Sequence, residues 1–262
     1  MAGAAILVGA CLLAGWIAPY GEAELVGGVW DAPTAAHWLG TDNIGRDMAA
    51  RLLYGGRTTI GIALATTFLA FAVGVTAGFT AAIVGGWIDA ALSRAIDVVL
   101  AVPLLIAALI VLSVLGTGDT VLVGTIAALE AARIYVVSRT TARSVAVLDF
   151  VMVARLRGEG LAWLICQEIL PNALPPLLSE AGLRFCFIFL FIASLSFLGL
   201  GIQPPAADWG SMVRENVQAI SLGLYAPLYP AAAIAILTIG VNLGIDSLLE
   251  RRSRPDGQGL EL

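Results

Sequence analysis

The chain has 262 residues, 59% of them hydrophobic and only 13% charged, with a mean hydropathy of +0.93. A water-soluble core cannot absorb so much apolar surface, so the composition implies a helical membrane protein with several spans, in which helices satisfy every backbone group inside lipid. The 14 basic residues are all arginine against 19 acidic ones, a net charge of −5, which argues against a nucleic-acid partner.

The first apolar run, roughly 4–20, reads as a span and not as a signal peptide, since no basic residue precedes it and no small-residue cleavage site follows. Residues 22–57 are more polar. Thr41 or Asp42 can cap a short helix with Ile44, Met48, Leu52 and Leu53 on its apolar face and Arg46, Asp47 and Arg51 on its wet side. A second span is expected over about 58–84, rich in Ala and Gly, and ended by Gly85 and Gly86. Trp87 to Asp97 reads as an interfacial helix that holds Asp89, Arg94 and Asp97 near water.

A third span is expected over about 98–115, interrupted by Pro103, and a fourth over about 121–137 after the turn at 116–120. Within the fourth, Glu130 and Arg133 lie three apart on one helical face and can pair. Ionisable groups at that depth face protein or a water-filled cavity. They either line a pathway or lock the helix to a partner. The amphipathic stretch 149–176 follows, then a fifth span over about 181–200, a Pro-rich segment over 201–226 that cannot span, a sixth span over about 227–249 and an Arg-rich tail. Trp209 reads as an interfacial anchor, and Ser194 and Ser196 as small packing residues.

With six spans both termini share a side. Placed inside, they bring Arg94, Arg139, Arg143, Arg155, Arg157, Arg184, Arg251, Arg252 and Arg254 with them, against Arg46, Arg51, Arg57 and Arg214 outside. The stretch 149–176 is then cytoplasmic. Cys11, Cys166 and Cys186 are too far apart for a disulfide framework or a metal site and read as small buried hydrophobes. His37 is the sole histidine, so neither a histidine-rich metal site nor a histidine triad fits, and no catalytic or metal-binding residue is expected.

Three stretches, HWLGTDNIGRDMAARLLYGGR from His37, ILPNALPPLL from Ile169 and SFLGLGIQPPAADWGSM from Ser196, resemble in order and spacing the C-type permease subunits of peptide and nickel ABC importers. The resemblance covers about 37–246. It implies an all-α, six-span type I importer permease in the bacterial inner membrane that pairs with a homologous B-type permease, two cytoplasmic ATPases and an extracytoplasmic solute-binding protein. ATP and Mg would sit on the ATPases, since the chain has no lysine for a phosphate loop.

On this resemblance residues 1–57 form the first helix and an external amphipathic segment, 58–250 the transmembrane domain with a coupling loop at about 144–176, and 251–262 a cytoplasmic tail. The family's coupling loop carries Glu-Ala-Ala, a glycine and Ile-Leu-Pro; here Met152, Val153 and Ala154 stand at the first three positions, with Gly158, Ile169, Leu170 and Pro171 retained. Arg155, Arg157, Glu159 and Glu168 would supply polar contacts to the ATPase. Leu170 to Pro176 is expected to turn the chain sharply into the fifth span, because proline fixes φ and removes a donor.

The external motif Gly40, Thr41, Asp42, Gly45, Arg46 and Asp47 would meet the partner permease or the solute-binding protein, or close on itself; Pro204 to Met212 would lie at the outer gate. Import of peptides or related solutes is the function implied. Nickel, a metal chelate or an opine-like solute is the alternative cargo, and an ATPase-independent channel or carrier the alternative class.

Overall fold

The computed structural model describes residues 2–253. In chain order the helices are α1 (Ala2–Leu12), α2 (Ala14–Ile17), α3 (Met48–Val84), α4 (Gly86–Ala101), α5 (Leu104–Leu115), α6 (Asp119–Ala146), α7 (Asp149–Leu156), α8 (Leu161–Trp163), α9 (Leu170–Phe197), α10 (Trp209–Asn216) and α11 (Leu228–Ser253). A wide, π-type stretch over Leu164–Ile169 joins α8 to α9, and a tight 3-10 segment over Val217–Leu222 follows α10.

Among the described residues four helical stretches are long and apolar enough to cross a membrane: Met48–Val84, Asp119–Ala146, Leu161–Phe197 and Leu228–Ser247. The expected third span is not one rod. Its residues divide between α4 and α5, bent by 88° at Pro103, where the missing N–H and fixed φ stop the helix. The expected first span is also shorter than foreseen, since α1 has 11 residues and breaks at Leu13. The tail beyond Ser253, Arg254 included, lies outside the described residues.

The chain divides into two compact units, one formed by the chain up to Ala63 together with the chain from Phe185 onward, the other by Leu64–Arg184. In the first unit α1 packs along α11, and Ala4 lies so close to Gly240 that a Cβ there would collide with the Ala4 Cβ. Trp209 is fully buried in this unit: its Nε1 donates to the Leu52 carbonyl at 2.8 Å and its ring meets Phe189 edge-on. The expected interfacial anchor is therefore a core residue. Burying the indole and satisfying its one donor on a helix carbonyl gains more than leaving it at a headgroup level.

The second unit is built on the close approach of α3 and α6. A Cβ on Gly74 would stand 2.7 Å from Ile134 Cβ, and one on Gly78 2.8 Å from the Tyr135 carbonyl, so only glycine lets the two backbones come together. Ala70, Ala127 and Ile134 fill that contact. Ser93 and Tyr135 hydroxyls meet at 3.0 Å and hold α4 to α6.

Cys11 and Cys186 are buried as expected, whereas Cys166 is exposed on the π-type stretch. Ser196 is buried and its Oγ accepts the Ile202 N–H at 3.3 Å, while Ser194 is exposed and bonds its own helix through the Leu190 carbonyl.

Candidate functional site

Three clusters hold the predicted residues. The first is the stretch 149–171 of the second unit. Its helix α7 has a strongly one-sided surface: Val151 and Ala154 are fully buried against Phe79, Ala142, Val145, Leu164 and Ile169, while Met152 and Val153 are more than half exposed and Arg155 is also exposed. Gly158, at φ +80° with open space around it, reverses the chain in the left-handed region that glycine reaches without a Cβ penalty. Arg157 lies over the Trp163 ring at 5.6 Å and ties the two limbs of this turn. Glu159 is half-buried, and Ile169 is fully buried in the same core as Ala154.

Leu170 to Pro176 does not turn the chain. Pro171, Pro175 and Pro176 lie within continuous helix from Leu161 to Phe197. A π-type stretch over Leu164–Ile169 precedes the first of these prolines, and around them Asn172 Nδ2 donates to Glu168 O at 2.6 Å and Ser179 Oγ to Pro175 O at 3.1 Å. The stretch is a stiff continuation of the span and not an elbow.

The second cluster is also in the second unit. Glu130 is buried at the middle of α6 and does pair with Arg133, Oε1 to Nε at 3.6 Å, but its nearer partner is Arg184 Nη1 at 3.3 Å from Oε2. Arg184 Nε also meets Glu180 one turn away. Arg184 lies within α9, thirteen residues before Phe197. Nothing local in the sequence marks Arg184 as the partner of a residue 54 positions earlier.

Toward the other end of α6, Arg139 Nη2 donates to Asp89 at 2.8 Å and Arg143 meets the same carboxylate. Asp89 is thus covered by an ionic clasp whose outer member, Arg143, is itself half exposed, whereas Arg94 and Asp97 are exposed as expected.

The third cluster belongs to the first unit. Residues 22–47 form no helix but a folded strap, with isolated bridges between Leu25 and Arg46 and between Thr41 and Asp47. Gly40 and Gly45 have φ of +73° and +90°, and a Cβ on either would run into a backbone carbonyl, of Asp31 and Gly27 respectively. The helix begins only at Met48, where Asp47 Oδ2 accepts the Ala50 N–H at 2.7 Å. The expected wet side is not wet: Asp42, Arg46, Asp47 and Arg51 are buried, while of the expected apolar face Met48 is buried, Leu52 and Leu53 are half-buried and Ile44 is exposed.

The reason is a partner that the local pattern could not reveal. Asp42 Oδ2 takes Arg46 Nε at 2.7 Å and also Arg51, and Glu215 Oε2 of α10 takes Arg46 Nη2 at 2.9 Å and Arg51 Nη1 at 2.7 Å. Two acids thus neutralise two arginines, and the group can be buried. Thr41 Oγ1 donates to the Gly28 carbonyl at 2.7 Å, His37 Nδ1 lies 3.2 Å from Asp47 Oδ1, and Asn216 Oδ1 accepts from Trp30 Nε1 and the Asn43 N–H. Pro204 to Met212 lies beside this strap; Ala207 to Met212 are buried, and Asp208 caps α10 through the Ser211 N–H and accepts Thr59 Oγ1 at 2.8 Å. Burial pushes the Asp208 carboxyl up against those donors.

Asp42 behaves in the opposite way. Burial pushes it up, but the Arg46 and Ile44 N–H groups with the Arg51 and Arg46 guanidiniums outweigh that and hold it below the ordinary aspartate range. A depressed folded-state value stabilises above the unfolded value of about 3.9, and the contribution is lost as pH falls through the lower folded one. Melting of the purified protein should therefore be flat down to about pH 5 and fall below it, with a smaller fall in D42N.

A family model described as the binding-protein-dependent transport system inner membrane component matches residues 74–254. The first two clusters fall in that range, and the strap lies ahead of it. A dipeptide transport system permease protein of Alkalihalophilus pseudofirmus is 33% identical over 219 residues, 82% of this chain and 71% of that protein. A di/tripeptide permease protein of Pseudomonas aeruginosa is 31% identical over 253 residues, 93% of this chain and 82% of its own. A nickel permease protein of Escherichia coli is 33% identical over 217 residues, covering 83% and 78%. Among solved structures, an amino acid ABC transporter with histidines matches at a TM-score of 0.55 and 21% identity, over 74% of this chain and 90% of that one; at that identity the likeness speaks to the fold alone.

Proposed function

The chain belongs to the family of inner membrane components of binding-protein-dependent transport systems, and from that premise we propose that it is one half of the pore of an importer for small peptides. It is a permease component in the inner membrane. Its proposed partners are a homologous B-type permease, two cytoplasmic ATPases that carry ATP and Mg, and an extracytoplasmic solute-binding protein. Both termini and the stretch 149–171 are assigned to the cytoplasm, with six crossings.

The observation that carries this reading is the two-faced helix α7. Val151 and Ala154 root it in the core while Met152, Val153 and Arg155 stand free on the other side. An amphipathic helix rooted on one face and bare on the other suits a groove in a second protein, and the continuous helix from Leu161 to Phe197 gives that contact a stiff lever into the membrane. Closing of the ATPases on ATP would move α7 as a rigid body and switch the packing of the spans.

Peptides are favoured as cargo because relatives named for dipeptide and di/tripeptide transport cover 82% and 93% of this chain, yet the nickel permease matches at the same 33% identity as the first of them. The test is uptake into vesicles that hold the chain with its partner subunits, supplied with labelled dipeptide or nickel. Dipeptide uptake that requires ATP and the binding protein is expected. Nickel uptake alone would change the cargo, and uptake without ATP would overturn the importer mechanism.

A further inference from the structure

We propose that Arg133 receives the carboxylate of the solute during passage, and that Glu130, locked to Arg184, is the fixed group that positions it. This rests on the peptide reading above.

Depth is the first argument. At ~1.5 Å per residue Arg133 lies ~20 Å from either end of α6 and within the apolar stretch expected to span, one helical turn before its end at 137. A guanidinium at that depth must meet protein or water and not lipid. Its neighbours on the outward side of α6 agree: Gly124, Ala128 and Thr140 are exposed there, small or polar, with Val136 the single large apolar residue among them. On α5 the exposed residues are Leu105, Ile106, Ile110, Ser113, Val114 and Leu115, five of the six large and apolar. The exposed surface of α5 is thus mostly large and apolar, and that of α6 around Arg133 smaller and more polar.

The allocation of charge is the second argument. Glu130, its side chain 3% exposed, holds Arg184 at 3.3 Å, and Arg184 is also bonded to Glu180, so this acid and this arginine are committed within the chain. Arg133 has a side chain 44% exposed and touches Glu130 only at 3.6 Å, beyond hydrogen-bond reach. Among the described residues the Arg133 side chain makes no hydrogen bond, while the ion pair with Glu130 keeps it at a fixed place.

Arginine presents a rigid fork that matches a carboxylate in two parallel hydrogen bonds. A dipeptide brings one free carboxylate, and a half-exposed cation with a loosely held acid nearby can take that group and release it. An acid on the neighbouring permease would satisfy the same fork, and the experiment separates the two.

The assembled complex in vesicles is given alanyl-alanine or its C-terminal amide, with the binding protein loaded to equal occupancy by each. Wild type should import the acid about 10-fold faster than the amide, because a site built to bond a group rejects the analogue that lacks it. R133Q should bring the two rates within about 2-fold, mainly by slowing the acid, and R133K should lie between. An assembled R133Q with the wild-type ratio overturns the proposal. If R133Q does not assemble, R133K decides, and an unchanged ratio there overturns it. Failure of both to assemble assigns Arg133 to the subunit contact and overturns it as well. Import of neither compound by wild type removes the peptide reading first, and this inference with it.

Discussion

Asp42→Asn is expected to lower the yield of folded protein and its melting temperature more than any other single substitution in the strap of residues 22–47. Asp42 is fully buried and holds two guanidiniums, Arg46 and Arg51, that have only Glu215 besides. Taking one member from a buried ionic group leaves uncompensated charge and costs about 3–5 kcal/mol, against a total stability of about 5–15 kcal/mol for a typical domain. Through Oδ1 the same carboxylate also accepts the Ile44 and Arg46 N–H groups, a backbone contact that Asn does not have to give up. Asn keeps the shape and can still accept those N–H bonds, which isolates the charge as the cause. Thermal melting of the detergent-purified protein checks it, and a change within error of wild type would show that the cluster is not a structural anchor.

Ala154→Leu is expected to cut uptake by about 10-fold or more while the protein still folds. Ala154 has no exposed surface and sits among Val151, Leu164 and Ile169 at the foot of α7. Extra methylenes in such a place cost about 1–3 kcal/mol, and α7 relieves them by lifting away, which misplaces the outward face proposed to meet the ATPase. At about 1.4 kcal/mol per factor of ten the displacement is enough to cost the stated uptake. Met152→Ala is the matched control, because Met152 is 57% exposed and its loss should leave melting unchanged while lowering stimulated ATPase activity. Equal uptake by A154L and wild type would separate α7 from transport.

How far the site could be read beforehand differs from cluster to cluster. On α7 the amphipathic helical pattern is legible in the sequence, but which side packs is not: Val153 is as apolar as Val151 yet more than half exposed, and Ala154, which the resemblance places in the ATPase-coupling motif, is fully buried. The strap failed by the same rule. Ile44, Met48, Leu52 and Leu53 fit a helical stripe, but two bridges and two left-handed glycines stop a helix before Met48, and burial then went to the charges. The residue that permits this, Glu215, stands more than 160 positions away. Pro171 misled for a related reason: proline ends an isolated helix, yet here it follows a π-type stretch inside one that the rest of the unit holds together.

The sequence by itself determined that this chain is a helical membrane protein, and its motifs pointed to an importer permease, because hydropathy over some twenty residues is a local quantity and the motifs are contiguous. The partners of its charges were decided only by the tertiary structure. Arg184 for Glu130, Arg139 and Arg143 for Asp89, and Glu215 for Arg46 and Arg51 are pairings across distant segments. Whether an ionised side chain can be buried depends on the opposite charge brought to it, and that is fixed only when the helices have packed.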